Sequence, residues 1–307
     1  MNDAANDARE ANGVHFATSV EGFALYYDNL DRAHCDIDRD LFIVDIDGEV
    51  AGYGRTEWQD EQEARIHPVV CFLGRAWRRR GIGRSMLATL EERALAVAAE
   101  RPTERPAFFH AETLGDPGAD ALLTGSGYEP ARYFYVMVRP SLDPLPDAPM
   151  PEGLEIRPVR EEHLRAIWDA NVEAARDTWG FIEQTESDYE FFRTDPVTAD
   201  FSLWRIAWDG DEIAGQVRAF INADENERLG TKRGWVENIL VRRPWRRRGL
   251  ARALISASME GLRERGMTEG ALGVDAENES GALRLYERAG FGVESRETVY
   301  RKPLPPG

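Results

Sequence analysis

The chain repeats itself. A repeat limits the fold more than any local propensity, because one supersecondary plan must serve twice. Trp77–Gly83 reads WRRRGIG, and Trp245–Ala251 reads WRRRGLA 168 residues later. Ahead of them, Asp47–Gly52 (DGEVAG) answers Asp209–Gly215 (DGDEIAG). Behind them, Gly127-Tyr128 answers Gly290-Phe291, and the glycines of both pairs are 163 apart. Three landmarks in one order predict a duplicated domain of roughly 150 residues. Between the copies, residues 140–153 carry five prolines. Proline removes amide donors and favours extended chain, so this stretch is expected to be a linker. The predicted organisation is an N-terminal domain over 13–140, a linker over 141–153 and a C-terminal domain over 154–307. Residues 13–40 leave the first copy little room for the strand and helix pair that 154–193 supplies to the second.

The second copy reads most easily. Residues 154–159 form a strand. Glu161–Ala175 places Leu164, Ile167, Trp168 and Val172 at helical spacing. Residues 202–221 read as strand, Asp-Gly turn and strand. Trp235–Val241 is β-rich. Arg248–Arg265 is helical and stops at Gly266, suited to a left-handed C′ position. Residues 270–276 form a strand, Ser280–Ala289 a helix capped by Asn278 or Ser280 and ending at Gly290, and residues 298–303 a final strand. Short turns make consecutive strands antiparallel, so the expected class is α/β (α+β). Each copy should be a mixed, mostly antiparallel sheet flanked by helices.

Composition narrows the function. Of 307 residues, 42% are apolar and 30% charged, which is globular chemistry. There is no apolar run of about 18 residues, so no membrane span is expected. The acidic, polar N-terminus lacks the pattern of a signal peptide, which makes the cytoplasm the expected compartment. Cys35 and Cys71 have no metal-type spacing, so no metal site is expected. A net charge of −17 opposes general nucleic-acid binding through Arg75–Arg84 or Arg242–Arg252.

The segment that carries chemistry is VENILVRRPWRRRGLARAL, residues 236–254. A strand enters a turn, then Arg-x-x-Gly-x-Ala, then an amphipathic helix. Amides at a helix start, with the helix dipole behind them, form an anion site. Gly249 and Ala251 let an anion approach the main chain, and Arg246, Arg247 and Arg248 add charge. The spacing is neither G-x-x-x-x-G-K-[ST] nor G-x-G-x-x-G. A second motif follows: Asn278-x-x-x-Ala282-x-x-Leu285-Tyr286-x-x-x-Gly290-Phe291.

This pair of motifs resembles the GNAT superfamily of N-acetyltransferases over essentially all of 154–303 and most of 40–140. The tandem arrangement is similar to that of mycothiol synthase-like double-domain acetyltransferases. The resemblance implies acetyl-CoA as co-substrate and an amine as acceptor. It also implies a pyrophosphate cradle at Arg246, Arg247, Arg248, Gly249, Leu250 and Ala251, beside the strand residues Ile239, Leu240 and Val241. Tyr286 takes the position that protonates the departing thiolate, and Glu237 that of a base for the incoming ammonium, directly or through water. Asn278 would hydrogen-bond the pantetheine arm. Each residue has a plainer alternative: Tyr286 as a core aromatic, Glu237 as a surface strand residue, Asn278 as a helix cap.

The copies differ. The first retains the turn at Arg78, Arg79, Arg80, Gly81, Ile82 and Gly83. Aligning the arginines places Leu73 at Val241 and Val69 at Glu237. Aligning the glycines places Leu123 at Tyr286 and Gly115 at Asn278. The first copy is therefore expected to be catalytically silent, whether it binds acetyl-CoA or serves as scaffold. Trp179, Phe181, Glu183 and Tyr189 are candidates to line the acceptor pocket, or to pack the helices. The leading reading is an acetyl-CoA-dependent N-acetyltransferase acting on the primary amine of a small molecule. A protein amine as acceptor and a non-catalytic acyl-CoA sensor are the alternatives, and the oligomeric state is left open.

Overall fold

A computed structural model describes residues 1–11, 20–278 and 281–305. Residue 13, the expected start of the first domain, and Ser280, one expected helix cap, lie outside the described residues. The helices are α1 (Asn2–Ala11), α2 (Val20–Asp28), α3 (Ile37–Asp40), α4 (Ile82–Glu100), α5 (Pro117–Gly125), α6 (Leu164–Ala175), α7 (Glu186–Thr194), α8 (Ala223–Leu229), α9 (Leu250–Glu264) and α10 (Ala282–Arg288). The strands are β1 (Leu41–Ile46), β2 (Glu49–Thr56), β3 (Gln59–Asp60), β4 (Arg65–Leu73), β5 (Ala107–Thr113), β6 (Glu129–Arg139), β7 (Glu155–Arg157), β8 (Trp204–Asp209), β9 (Glu212–Phe220), β10 (Arg233–Val241), β11 (Glu269–Asp275) and β12 (Gly292–Pro303).

Two compact units result. One is Met1–Phe134 with Ser295–Gly307, and the other is Tyr135–Glu294. The final strand, grouped with the second copy in the sequence, instead lies antiparallel to β5 in the first unit, Thr298 opposite Thr113 and Pro303 opposite Phe108. The proline-rich stretch is also bound rather than free. In the second unit Leu142 is buried in the core, and the carbonyls of Pro146, Asp147 and Glu152 accept from Ser256, Arg252 and Arg248 of α9 and the turn before it. Proline supplies no donor, but its carbonyl still accepts.

Each unit follows the same plan, a mostly antiparallel mixed sheet flanked by helices. In the first, β1–β2 and β2–β4 are antiparallel and β4–β5 parallel. In the second, β8–β9 and β9–β10 are antiparallel and β10–β11 parallel, with β7 edging β8. The first copy does have a helix pair. Its first member, α1, lies ahead of residue 13, and α2 starts at Val20. The second copy adds α8, capped by the Asn222 side chain on the Glu225 amide. No apolar periodicity announces this short acidic helix.

Helix α9 shows why the turn sits where it does. Leu250, Ala253, Leu254, Ile255, Met259 and Leu262 are buried along one face, at i, i+3 and i+4 spacing. Each buried Leu, Ile or Met is worth about 1.5–3 kcal/mol relative to exposure. That burial fixes the start of the helix against the sheet. Gly266, with φ of +82°, ends it as the sequence predicts.

Candidate active site

In the second unit the parallel ladder between β10 and β11 runs only from Arg233 opposite Glu269 to Trp235 opposite Ala271. Both strands continue, to Val241 and Asp275. Beyond Trp235 the strands therefore part, and the β11-facing backbone of β10 has no strand partner. On its other side β10 stays paired to β9, with a register shift between Glu237 and Leu240. Asn238 sits there at φ +51°. A bulge of this kind inserts one residue and re-aims its neighbours. Gly215 permits the close approach: a β-carbon there would lie 2.8 Å from the Leu240 carbonyl oxygen.

Glu237 reaches across the parting. Its Oε1 accepts from the Gly273 amide of β11 at 2.6 Å, and the side chain is half-buried. Tyr286, on α10, is 6% exposed and packs edge-on against Phe291 with centroids 6.5 Å apart. Its ring is thus a core residue, yet among the described residues its hydroxyl has no hydrogen-bond partner. Burial and the nearby Glu237 charge both raise the phenol's pKa, so it holds its proton at neutral pH.

Below the parting, the turn 243–249 leads into α9. Arg247 and Gly249 both have left-handed backbone, at φ +62° and +87°. A β-carbon at Gly249 would meet nothing, so glycine serves the conformation there and not the space. The first amides of α9, at Leu250, Ala251 and Arg252, lack intrahelical acceptors by position. Arg246 is tied back: its Nε donates to the Val241 carbonyl at 2.9 Å, and its Nη atoms donate to Asp177. Arg247 and Arg248 are exposed. Asn278 is half-buried, its amide donating to the Asp275 carbonyl; it does not cap α10, whose N-cap is Gly281.

The sequence model described as "Acetyltransferase (GNAT) family" matches residues 9–104 and 168–291, well over half of the chain. The chain belongs to the GNAT acetyltransferase family. It is an N-acetyltransferase of the tandem GNAT type. Curated relatives named mycothiol acetyltransferase include one from Salinispora arenicola, 32% identical over 85% of this chain and 81% of its own length. Another, from Geodermatophilus obscurus, is 29% identical over 86% and 82%. Among solved structures, a GCN5-related N-acetyltransferase from Sphaerobacter thermophilus is 28% identical, covering 100% of this chain and 92% of that one with a TM-score of 0.70. A tandem GNAT protein from the clavulanic acid biosynthesis pathway shares the fold at TM-score 0.70 and 17% identity, over 99% and 94% of the two chains.

The first GNAT unit has the same turn beside different side chains. Arg79 and Gly81 repeat the left-handed backbone, at φ +62° and +84°. Arg78 Nε donates to the Leu73 carbonyl, as Arg246 does to that of Val241. Arg80 lies over the Trp77 ring, and Ile82 and Gly83 open α4. However, β2 and β4 pair without a shift, from Gly52 opposite Leu73 to Thr56 opposite Val69. Arg55 therefore faces Val70, where its counterpart Arg218 faces Glu237. The extra residue of the bulge makes Val70, rather than Val69, the counterpart of Glu237. Leu123 is buried where Tyr286 would be.

Of the acceptor candidates, Phe181 is buried and Trp179 half-buried. Glu183 is exposed and pairs with Arg176 at 3.5 Å. Tyr189 packs on Trp168 and Phe192. The residues brought into register with Glu237 are others. Trp204, Arg218 and Glu237 stand opposite one another across β8, β9 and β10, and Gln216 follows two residues along on the same face. The signal was available: Gln216 and Arg218 are polar at i and i+2 in a central strand that is otherwise apolar from Ile213 onward.

Proposed function

We propose that the second unit transfers an acetyl group from acetyl-CoA to the primary amine of a small molecule. The feature that carries this reading is the parting of β10 and β11, spanned by Glu237 and approached by Tyr286. The diphosphate would meet the amides of Leu250 and Ala251 at the dipole-positive start of α9, with Gly249 shaping the turn and Arg247 and Arg248 adding charge. The pantetheine arm would run along Ile239, Leu240 and Val241, where the β10 backbone has no neighbour, with Asn278 at its side.

The incoming ammonium gives a proton to Glu237, directly or through water. The amine lone pair then forms the C–N bond on the thioester carbonyl. As the C–S bond breaks, the Tyr286 phenol donates its proton to the thiolate, the new amide nitrogen gives up its surplus proton, which restores the phenol through water, and a β10 amide near Val241 steadies the negative carbonyl oxygen. Holding both reactants in one cleft removes part of the entropic barrier. The first unit, with Val70 in place of the base and Leu123 in place of the acid, is catalytically silent.

The relatives' name makes a mycothiol-type amine the first acceptor to test. The experiment is thiol release from acetyl-CoA with a panel of small amines, with Tyr286→Phe as control. Amine-dependent release abolished by that substitution supports the reading. Release only with peptides would move the acceptor to protein amines, and acetyl-CoA binding without release would favour the sensor.

A further inference from the structure

The face of the second sheet beside Glu237 contains a cation that no hydrogen-bonded carboxylate neutralises; only the Glu237 charge across the strands acts on it. The Arg218 guanidinium lies 4.7 Å from the Phe192 ring centre and 5.3 Å from that of Trp204. Its Nε is buried without a hydrogen-bond partner. Among the described residues no carboxylate forms an ion pair with it. Burial lowers its pKa to about 10, so it remains charged at neutral pH. Arg218 is half-buried, and a partly desolvated charge without a hydrogen-bonded counter-ion is costly to keep. Beside it, Gln216 is 2% exposed; its Nε2 donates to Asn171 Oδ1 at 2.8 Å, which leaves its Oε1 buried and unpartnered.

The first unit supplies the control. Arg55 holds the same place in β2, and its Nε is likewise buried without a hydrogen-bond partner, but there the charge has an ion pair. Glu57 lies 3.0 Å away, the Tyr26 hydroxyl accepts from Nη2 at 2.9 Å, and the Tyr26 and Tyr27 rings stack on the guanidinium. The position equivalent to Glu57 in β9 is Phe220. The second unit has kept the arginine and lost its carboxylate.

We propose that Arg218 docks a carboxylate of the acceptor, so that the amine acetylated here belongs to a zwitterion of amino-acid size. This deepens the acetyl-transfer reading and rests on it. Arg218 and Glu237 are directly opposed across two strands, where β-carbons stand about 4.5–5.5 Å apart. The anion and the amine are therefore gripped only a few bonds apart. The two Nη atoms of a guanidinium match a carboxylate with two parallel hydrogen bonds, and those of Arg218 are not among its buried atoms. Gln216 Oε1 is placed to accept from the ammonium, and the Phe192 and Trp204 rings hold the guanidinium in plane.

The test is calorimetric titration of matched pairs, N-acetyl amino acids against their primary amides, over a panel of side chains. Wild type and Arg218→Gln are compared, with Arg218→Lys as the variant that keeps charge without the fork. At least one acid should bind wild type tenfold or more tighter than its amide, and that preference should vanish in Arg218→Gln and be only partly restored in Arg218→Lys. Equal binding of acid and amide to wild type, no binding of any acid, or an undiminished preference in Arg218→Gln overturns the proposal. The wild-type comparison stands even if a variant fails to fold. Thiol release with the free amines then separates the two claims. Amides acetylated as well as acids would leave the acetyl-transfer reading intact and remove the carboxylate. Acid binding without turnover would do the reverse.

Discussion

The two units part their strands in the same way and equip the parting differently. In the first, the β4–β5 ladder ends at Pro68 opposite His110; in the second, the β10–β11 ladder ends at Trp235 opposite Ala271. Both lead into a turn with two left-handed residues and then a long helix. The first unit has an unbroken β2–β4 ladder, a valine facing its arginine and a leucine in the following helix. The second has a bulge, a glutamate and a tyrosine. The backbone of the turn is therefore separable from the side chains around it, and a duplicated fold can keep one while changing the other.

The substitution that breaks this contrast most sharply is Tyr286→Phe. General-acid groups contribute about 10²–10⁴-fold, and kcat should fall within that range while the acetyl-CoA KM stays near wild type. Its mirror, Leu123→Ala in the first unit, should cost about 2–5 kcal/mol of stability through an emptied core site, with kcat unchanged. Chemical denaturation and single-turnover kinetics check both. If Leu123→Ala depressed kcat as strongly as Tyr286→Phe, the silent and active labels would be misplaced.

Next comes Glu237→Gln. At about pH 7 the amine arrives protonated, and loss of the base should lower turnover by about 10²-fold. The deficit should narrow as rising pH delivers the amine already neutral. A deficit constant with pH would assign Glu237 a positioning role through Gly273. The reciprocal change, Val70→Glu, should add no activity, because the first unit has no bulge to aim the carboxylate.

Much of this was legible from residues alone. The repeat gave two similar units because Trp-Arg-Arg-Arg-Gly marks a turn whose backbone needs a left-handed glycine, and such a need leaves a sequence trace. Apolar spacing gave α6 and α9. The bulge left only a faint trace, since a single asparagine, Asn238, suits positive φ without fixing a register shift, and so the counterpart of Glu237 is displaced by one. The final strand was misassigned for a related reason: its residues predict strand conformation but not which edge it joins. Arg218 beside Gln216 marks a polar face in β9, but an arginine in a strand reads as surface until the Phe192 and Trp204 rings are seen against it.

Gly249→Val tests the shared turn. A β-branched residue at φ +87° is strained by about 1–3 kcal/mol. If that strain displaces the turn, the acetyl-CoA KM should rise about tenfold for each 1.4 kcal/mol of lost binding. Gly81→Val, equally strained, should leave KM alone. Equilibrium counting of acetyl-CoA sharpens the result: two molecules per chain falling to one in Gly81→Val would make the first unit a binding unit that does no chemistry.

The smallest effect separates the units by the sign of a pH dependence. The buried arginines that open β4 and β10 are counterparts. Arg65 holds Asp60 through Nε at 2.7 Å and Nη2 at 2.8 Å, and these bonds lower the Asp60 pKa. Stability from a depressed carboxyl is present above its unfolded pKa and lost as pH falls through the folded one. Arg233 instead serves two carboxylates, Glu269 and Glu294, and a third lies nearby on α8. That third, Glu225, is 1% exposed and accepts from Trp235 Nε1 at 3.0 Å; burial pushes its pKa up to about 7. A raised carboxyl contributes stability fully below its unfolded pKa, and that contribution is lost as pH climbs through the folded value. Glu225→Gln keeps the acceptor for Trp235 and removes the titration. Its Tm relative to wild type should therefore improve between about pH 5 and pH 8, by no more than about 3 kcal/mol in equivalent stability. Asp60→Asn should show its largest deficit at neutral pH and recover toward wild type in acid. Parallel slopes for the two variants would mean that the arginines, and not their different carboxylate partners, set the pH response.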